Sequence, residues 1–397
     1  MLRNLFDLPR SIALSSVSAG FVAMLIGCSG PLLIVVQAAQ NAGLTDEQLS
    51  SWVWAVMIGT GICSLLMSLW YRQPLLAAWP TAGAALLASS LPEYSFNEAV
   101  GAYIVSSIGL ILLGISGLFG RMMGYIPGTI IAGMMAGILL QFGTNVFTYL
   151  LEAPLLVVAM LAGYLLLKRF KFTAPTIGIM IVGLLICYVG GTLNVGRVSP
   201  RLTIPVLIVP AFSLQALLGL SLPLFILANA SQNAPGLGVL RSFGYNVPPE
   251  GPITLTGIVS LLAAPMGNFG FSLSAITAAI CVSPDAHPDP DKRYSAGVAY
   301  GLWYIIFGLF GATAVALFNG LPAAFIATLA GLSLLGAINA GLTGAMSEPT
   351  EREPALLAFL ITASNITILG IGAPFWGLVV GVAAHWILGS AKARPNA

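Results

Sequence analysis

Read for its hydrophobic and polar positions, the chain is one apolar helix after another, separated by short polar or proline-bearing connections. Fourteen crossings are predicted, at roughly 12–42, 46–71, 74–91, 96–119, 126–149, 153–167, 173–191, 213–240, 252–266, 268–283, 294–318, 322–345, 354–370 and 373–390. The third and the tenth break the pattern. In QPLLAAWPTAGAALL (Gln73–Leu87), Pro74 and Pro80 bracket a short apolar run and Thr81 opens a small-residue helix. In APMGNFGFSLSAITAAICVSP (Ala264–Pro284), Pro265, Gly267 and Gly270 are poor helix residues. There Phe269 and Phe271 alternate with glycines in an extended pattern, and a helix is expected from Ser272. The two crossings, 74–91 and 268–283, are shorter than the ~20 residues of a full span. A broken helix at membrane depth is tolerated only where it is buried in protein or lines a cavity.

The two halves echo each other. Gln40-Asn41-Ala42 recurs as Gln232-Asn233-Ala234, 192 residues on, and GLFG at Gly117–Gly120 recurs at Gly308–Gly311, 191 on. Ile126-Pro127 is echoed by Leu321-Pro322 and Ala136-Gly137 by Ala330-Gly331, 195 and 194 on. Pro74–Trp79 shifted by 192 lands on Met266–Phe271. Matches in order at a nearly constant offset predict a repeat of seven spans, and an odd-numbered repeat must be inverted. Inverted repeats with paired broken helices are a transporter signature. The proline-rich stretch 192–210 is the expected linker between them.

Composition agrees with a membrane-embedded chain: 58% of the 397 residues are hydrophobic and 7% charged, against about 25% charged in a soluble domain. With both termini inside, only Arg197 and Arg201 of the 15 Lys and Arg fall outside, and the other thirteen fall inside. The N-terminus has no convincing cleavage site, so a retained first span is expected. A net charge of +2 gives no nucleic-acid footprint. Cys28, Cys63, Cys187 and Cys281 are too widely spaced for a disulfide framework or a metal site, and no metal or cofactor is expected.

The 13 acidic residues map to loops or span ends, Glu98 being the deepest, and no Lys or Arg lies mid-span. A cationic substrate would lack a partner, whereas two helix N-termini meeting at the breaks would offer unpaired N–H groups to an anion. Asn229-Ala-Ser231-Gln232-Asn233 is the densest polar cluster, with Asn229 and Asn233 on one helix face. It suits a substrate-facing surface, as does Gln37; interhelical bonding is the alternative. Trp79, Phe269 and Phe271 flank the breaks, where they either stack on a planar ring or fill space left by glycines. Glu98 and His385 are the candidate proton carriers, the alternative being a substrate that moves with its own proton. No nucleophile–base pair or ligand cluster points to an enzyme.

ASQNAPG (Ala230–Gly236) and AITAAICVSPDAHPD (Ala275–Asp289) resemble signatures of the benzoate:proton symporters, the BenE-type carriers. The likeness covers essentially the whole chain and implies a bacterial inner-membrane carrier that takes benzoate with a proton. The family is similar in architecture to nucleobase symporters such as the uracil transporter, and to a large group of anion carriers. That resemblance implies a core domain of residues 1–119 and 213–319 and a gate domain of 120–191 and 320–397, joined by a linker at 192–212. It also implies a substrate held between spans 3 and 10, and it makes a homodimer plausible through the gate. Where nucleobase symporters carry Leu-Ala-Glu and, four residues after the Glu, a His, this chain has Leu227-Ala228-Asn229 and Asn233. Where they carry Tyr-Gly-Glu-Asn, it has Phe269-Gly270-Phe271-Ser272. Loss of both acids favours an aromatic monoacid over a nucleobase.

The expectation is therefore an all-α integral membrane carrier importing benzoate or a close aromatic carboxylate by alternating access. The ring would rest on Phe269, Phe271 and Trp79. The carboxylate would face the N–H groups near Thr81 and Ser272, assisted by Gln37, Ser231, Gln232 or Asn233, with Asn229 nearby. A nucleobase or inorganic-anion carrier, or a passive anion channel, is the alternative.

Overall fold

A computed structural model describes residues 2–121, 127–170, 175–193, 200–274, 276–369 and 371–392. Ile126 of the internal repeat, Lys171, Arg197 and Arg394 of the charge pattern, and Ala275 lie outside the described residues. Helix occupies every stretch read as a crossing. Among the described residues, six helices are long and apolar enough to span a membrane, or seven if the pair Pro290–Leu309 and Gly311–Leu317, bent by 66°, is one span. The remaining stretches hold shorter or broken helices, so the count of fourteen rests on the sequence pattern and not on helix length.

The third and tenth stretches are broken as their prolines and glycines dictate. After Tyr71 the chain runs irregularly to a two-residue strand, β1 (Ala77–Ala78), and helix resumes at Thr81–Ser90. In the tenth, a 3₁₀ turn over Ala264–Met266 ends at Gly267, with φ +99°, and Gly270 has φ +128°. Both values suit glycine and strain any other residue. The next element is a strand, β2 (Ser272–Leu273), and helix appears only at Ile276–Cys281. The helix expected from Ser272 therefore starts later, because Ser272 and Leu273 pair with another segment. β1 and β2 are antiparallel, Ala77 opposite Leu273 and Ala78 opposite Ser272.

Helix packing follows the same pairing. Asp46–Tyr71 lies along Tyr294–Leu309, and Phe96–Ser116 along Glu250–Ala263. Gly128–Thr148 packs on Ala323–Ala345 and on Arg352–Ala363, which in turn packs on Ala373–Lys392. Small residues allow the close crossings. A Cβ at Gly61 would sit 2.6 Å from the Gly301 carbonyl oxygen, and one at Gly301 would sit 2.7 Å from the Gly61 carbonyl oxygen. Between these groups, Pro31–Asn41 touches Ala323–Ala345 and Thr81–Ser90 touches Gly128–Thr148.

Candidate functional site

Two-residue strands leave most of their peptide groups without a ladder partner, and away from water each unpaired group is costly. Side chains from the neighbouring helices take them up. Ser64 Oγ accepts the Ala77 N–H at 2.9 Å and donates to the Thr60 carbonyl at 2.7 Å. Ser260 Oγ accepts the Phe271 N–H at 2.7 Å and donates to the Thr256 carbonyl at 2.6 Å. The same device thus holds each broken segment. Its sequence is visible twice, TGICSLL from Thr60 and TGIVSLL from Thr256, 196 residues apart. Sequence reasoning missed both serines, although this repeat was their signal. Tyr300 completes the crossing, its hydroxyl donating to the Ala77 carbonyl at 3.0 Å.

The asparagines belong to this scaffold. Leu273 N–H donates to Asn233 Oδ1 at 2.7 Å, Asn233 Nδ2 donates to Asn229 Oδ1 at 3.0 Å, and Asn229 Nδ2 donates to the Phe225 carbonyl at 2.8 Å. Asn229 and Asn233 do share a helix face, within a π-helical turn over Ala228–Asn233. Both are fully buried and face the strand. Both amides take part in a chain of bonds that ties the eighth segment to the tenth through Asn233. Ser231 is likewise engaged, donating to the Leu227 carbonyl at 2.6 Å. Ser272 donates to the Ala78 carbonyl across the strands at 3.2 Å.

The aromatic residues divide. Phe271 is fully buried and its ring presses on the Cα of Gly59 in Asp46–Tyr71, among Cys63, Met67 and Leu273. Phe269 lies edge-on to Trp52 and Tyr103, with ring centroids 5.9 and 6.4 Å away, and closes over Gly83. Both rings fill space left by glycines, one of the two roles expected for them. Trp79 stands on the other side of the crossing, edge-on to Tyr304 at 5.7 Å, which meets Tyr300 at 4.7 Å. Its indole N–H is buried and unpartnered among the described residues.

Three further groups near the crossing have hydrogen-bonding capacity to spare. The helix Thr81–Ser90 starts at Pro80 with no side-chain cap, which leaves its first-turn N–H groups without one. Gln37 lies on Pro31–Asn41, the helix packed against Thr81–Ser90 and Ala323–Ala345, and its Oε1 is buried without a partner among the described residues. Gln232 is half-buried on the π-helical turn. An apolar cavity of about 440 Å³ opens beside this region, lined among others by Met24, Cys28, Leu33, Met57, Phe307 and Phe325.

The proposed proton carriers lie elsewhere. Glu98 forms a capping box at the start of Phe96–Ser116, accepting from Ser95 N–H at 3.0 Å and Ser95 Oγ at 2.8 Å. His385 Nδ1 is 3.6 Å from Glu351, which also accepts from the Thr129 hydroxyl. That triad ties the starts of Gly128–Thr148 and Arg352–Ala363 to the interior of Ala373–Lys392. Cys28, Cys63, Cys187 and Cys281 are free and buried.

A family model described as "Benzoate membrane transport protein" matches residues 10–387. The chain belongs to this family. It is 41% identical over 393 residues to the benzoate membrane transport protein of Acinetobacter baylyi, covering 99% of this chain and 100% of the relative. It is also 41% identical over 385 residues to the inner membrane protein YdcO of Escherichia coli, covering 97% of each. Its relatives are named membrane proteins and not enzymes, and its apolar helices make it a multi-pass membrane protein. Among solved structures, the transmembrane domain of a cyanobacterium bicarbonate transporter, BicA, matches with TM-score 0.61 at 15% identity over 95% of this chain and 98% of that one. SLC26A9 matches with TM-score 0.62 at 14% identity over 94% of this chain and 66% of that one. At such identity the likeness shows the fold alone, and it replaces the uracil transporter named from the sequence with anion transporters as the structural reference.

Proposed function

We propose that this family member imports benzoate or a close aromatic carboxylate, together with a proton, across the bacterial inner membrane by alternating access. The observation that carries the reading is the β1–β2 crossing, where an uncapped helix end at Thr81 adjoins unpaired polar groups in an otherwise apolar interior. In this reading the carboxyl group meets the N–H groups at Thr81, with Gln37 and Gln232 beside it, and the ring meets Trp79. An uncapped helix end with one or two amides binds a carboxylate without an arginine.

The fourteen-span, inverted 7+7 arrangement with both termini cytoplasmic is part of the same proposal. Three observations support it. The TGI-x-SLL motif occurs in both halves and does the same work in each. Pairing of the second stretch with the eleventh maps onto pairing of the fourth with the ninth when spans are exchanged seven apart. The fifth packs on the twelfth, its own counterpart. The division into a core of 1–119 and 213–319 and a gate of 120–191 and 320–397, with the linker at 192–212, is supported by the strongest helix pairings falling within each group. Substrate would then lie where Pro31–Asn41 and Thr81–Ser90 meet Ala323–Ala345 and Gly128–Thr148. A homodimer through the gate remains a proposal of the family resemblance.

The likeness to bicarbonate and SLC26 carriers favours an inorganic anion as the second reading. Uptake of radiolabelled benzoate into proteoliposomes, with unlabelled benzoate, uracil, sulfate or bicarbonate as competitors, separates the two. Inhibition by benzoate alone is expected. Strong inhibition by sulfate or bicarbonate, or uptake that never exceeds the external concentration under a pH gradient, contradicts the carrier reading.

A further inference from the structure

We infer that the proton travels on the substrate's own carboxyl group, so that the chain moves benzoic acid as a neutral species and the cycle is electroneutral. The inference rests on the benzoate reading above and deepens it. All 13 acidic residues of the sequence are among the described residues, and none of them is buried. Each sits at a helix end or in a connection except Asp7, which lies within the helix Leu2–Ser11 and pairs with Arg72 at 3.3 Å. Glu98 is occupied as a capping box with Ser95. Glu351 is bound by Thr129 and faces His385 at 3.6 Å. The other histidine, His287, accepts the Asp289 N–H at 3.0 Å in a connecting loop. The buried cation among the described residues, Arg293, is spent on carbonyls at the end of the tenth segment: Nε donates to His287 at 2.8 Å and Nη1 to Val282 at 2.9 Å. Around the crossing, the titratable side chains include Tyr300, Tyr304 and Cys28, with Tyr103 beside Phe269 and Cys63 beside Phe271, and the neutral forms of all five are the ordinary ones at physiological pH.

A carboxylate moved into such a site meets no buried positive charge. Desolvation then disfavours its ionised form and pushes its pKa upward, as for any buried carboxyl. The half-charge of one helix end offsets only part of that cost. The balanced step is one in which the carboxylate oxygen takes a proton from water on the side of higher proton concentration, and the O–H bond forms as the site closes. The same bond breaks when the site opens to the other side. Donors at Thr81 suit the carbonyl oxygen of the acid, and the buried, unpartnered Oε1 of Gln37 is an acceptor suited to its O–H. No side chain needs to change its charge. The pH gradient drives uptake because it changes the supply of the neutral acid at the site.

The test uses the full chain in proteoliposomes, with uptake by protein-free vesicles subtracted. Labelled benzoate is offered under a pH gradient at zero membrane potential, and separately under a potassium diffusion potential at equal pH. An initial rate above the protein-free background, a final accumulation of about tenfold per pH unit and no response of either to the potential are expected. The same dependence is expected of Glu98→Gln and of His385→Ala. Accumulation driven by an inside-negative potential means extra protons on the protein, and suppression by it means a bare anion; either overturns the inference while leaving benzoate transport standing. An initial rate of uptake no greater than the protein-free background under both gradients removes the benzoate reading and this inference with it.

Discussion

Asn233 Oδ1 accepts the Leu273 N–H at 2.7 Å, across the gap between the eighth segment and the broken tenth. This one bond fixes the strand that lies against β1, and Asn229 fixes Asn233 in turn. Removing the acceptor leaves a buried N–H unpaired, at about 1–3 kcal/mol. Asn233→Ala is expected to lower the melting temperature of purified protein in detergent and to lose transport with it. An unchanged melting temperature with lost transport would instead favour direct contact with substrate.

Ser64 and Ser260 make equivalent bonds in the two halves, at 2.9 and 2.7 Å. Ser64→Ala and Ser260→Ala should therefore destabilise by similar amounts, about 1–3 kcal/mol each. Chemical denaturation followed by tryptophan fluorescence reads this. A large effect at one site and none at the other would mean that the resemblance of the two clamps is not energetic.

Phe271 and Gly59 form a knob and a hole. A methyl group at Gly59 collides with the far end of the Phe271 ring, and overpacking of this kind costs about 1–3 kcal/mol. Gly59→Ala is expected to destabilise, and adding Phe271→Leu to restore part of the loss. Benzoate affinity of Phe271→Leu, measured by calorimetry, should match the parent within about twofold, a few tenths of a kcal/mol. A tenfold weaker affinity in a stable Phe271→Leu protein would return the ring to the substrate.

Gln37 and Thr81 present the opposite case. Neither side chain makes a hydrogen bond among the described residues, and Gln37 Oε1 is buried without one. Gln37→Leu therefore removes a polar group with no structural partner and is expected to preserve or raise stability. Benzoate uptake should fall at least about tenfold, the effect of losing one good hydrogen bond to a carboxyl. Thr81→Val, which keeps the helix N–H groups, should cost less. Unimpaired uptake by Gln37→Leu excludes it from the site.

How far the sequence could be read follows from what prolines, glycines and polar atoms each constrain. Pro74, Pro80, Pro265, Gly267 and Gly270 limit the backbone directly, so both breaks were legible. Polar side chains in an apolar interior reveal only that they need partners. Asn229 and Asn233 found theirs in a neighbouring amide and a strand N–H, and nothing local to ASQNAPG distinguishes that from a ligand. Ring direction was equally hidden: Phe271 is fixed by the absence of a side chain at Gly59, more than 200 residues earlier. The late start of the tenth helix has the same origin, since Ser272 and Leu273 are held extended by Ala77 and Ala78. The one missed local signal was the repeated TGI-x-SLL.

The most direct measurement is the position of a bound halogenated substrate, 4-iodobenzoate, located through its iodine in a structure of the full chain. The expected position puts the carboxyl group within hydrogen-bonding distance of the first N–H groups of Thr81–Ser90, with the ring against Trp79. Iodobenzoate bound against Glu98, beside His385, or between Phe271 and Gly59 would contradict it.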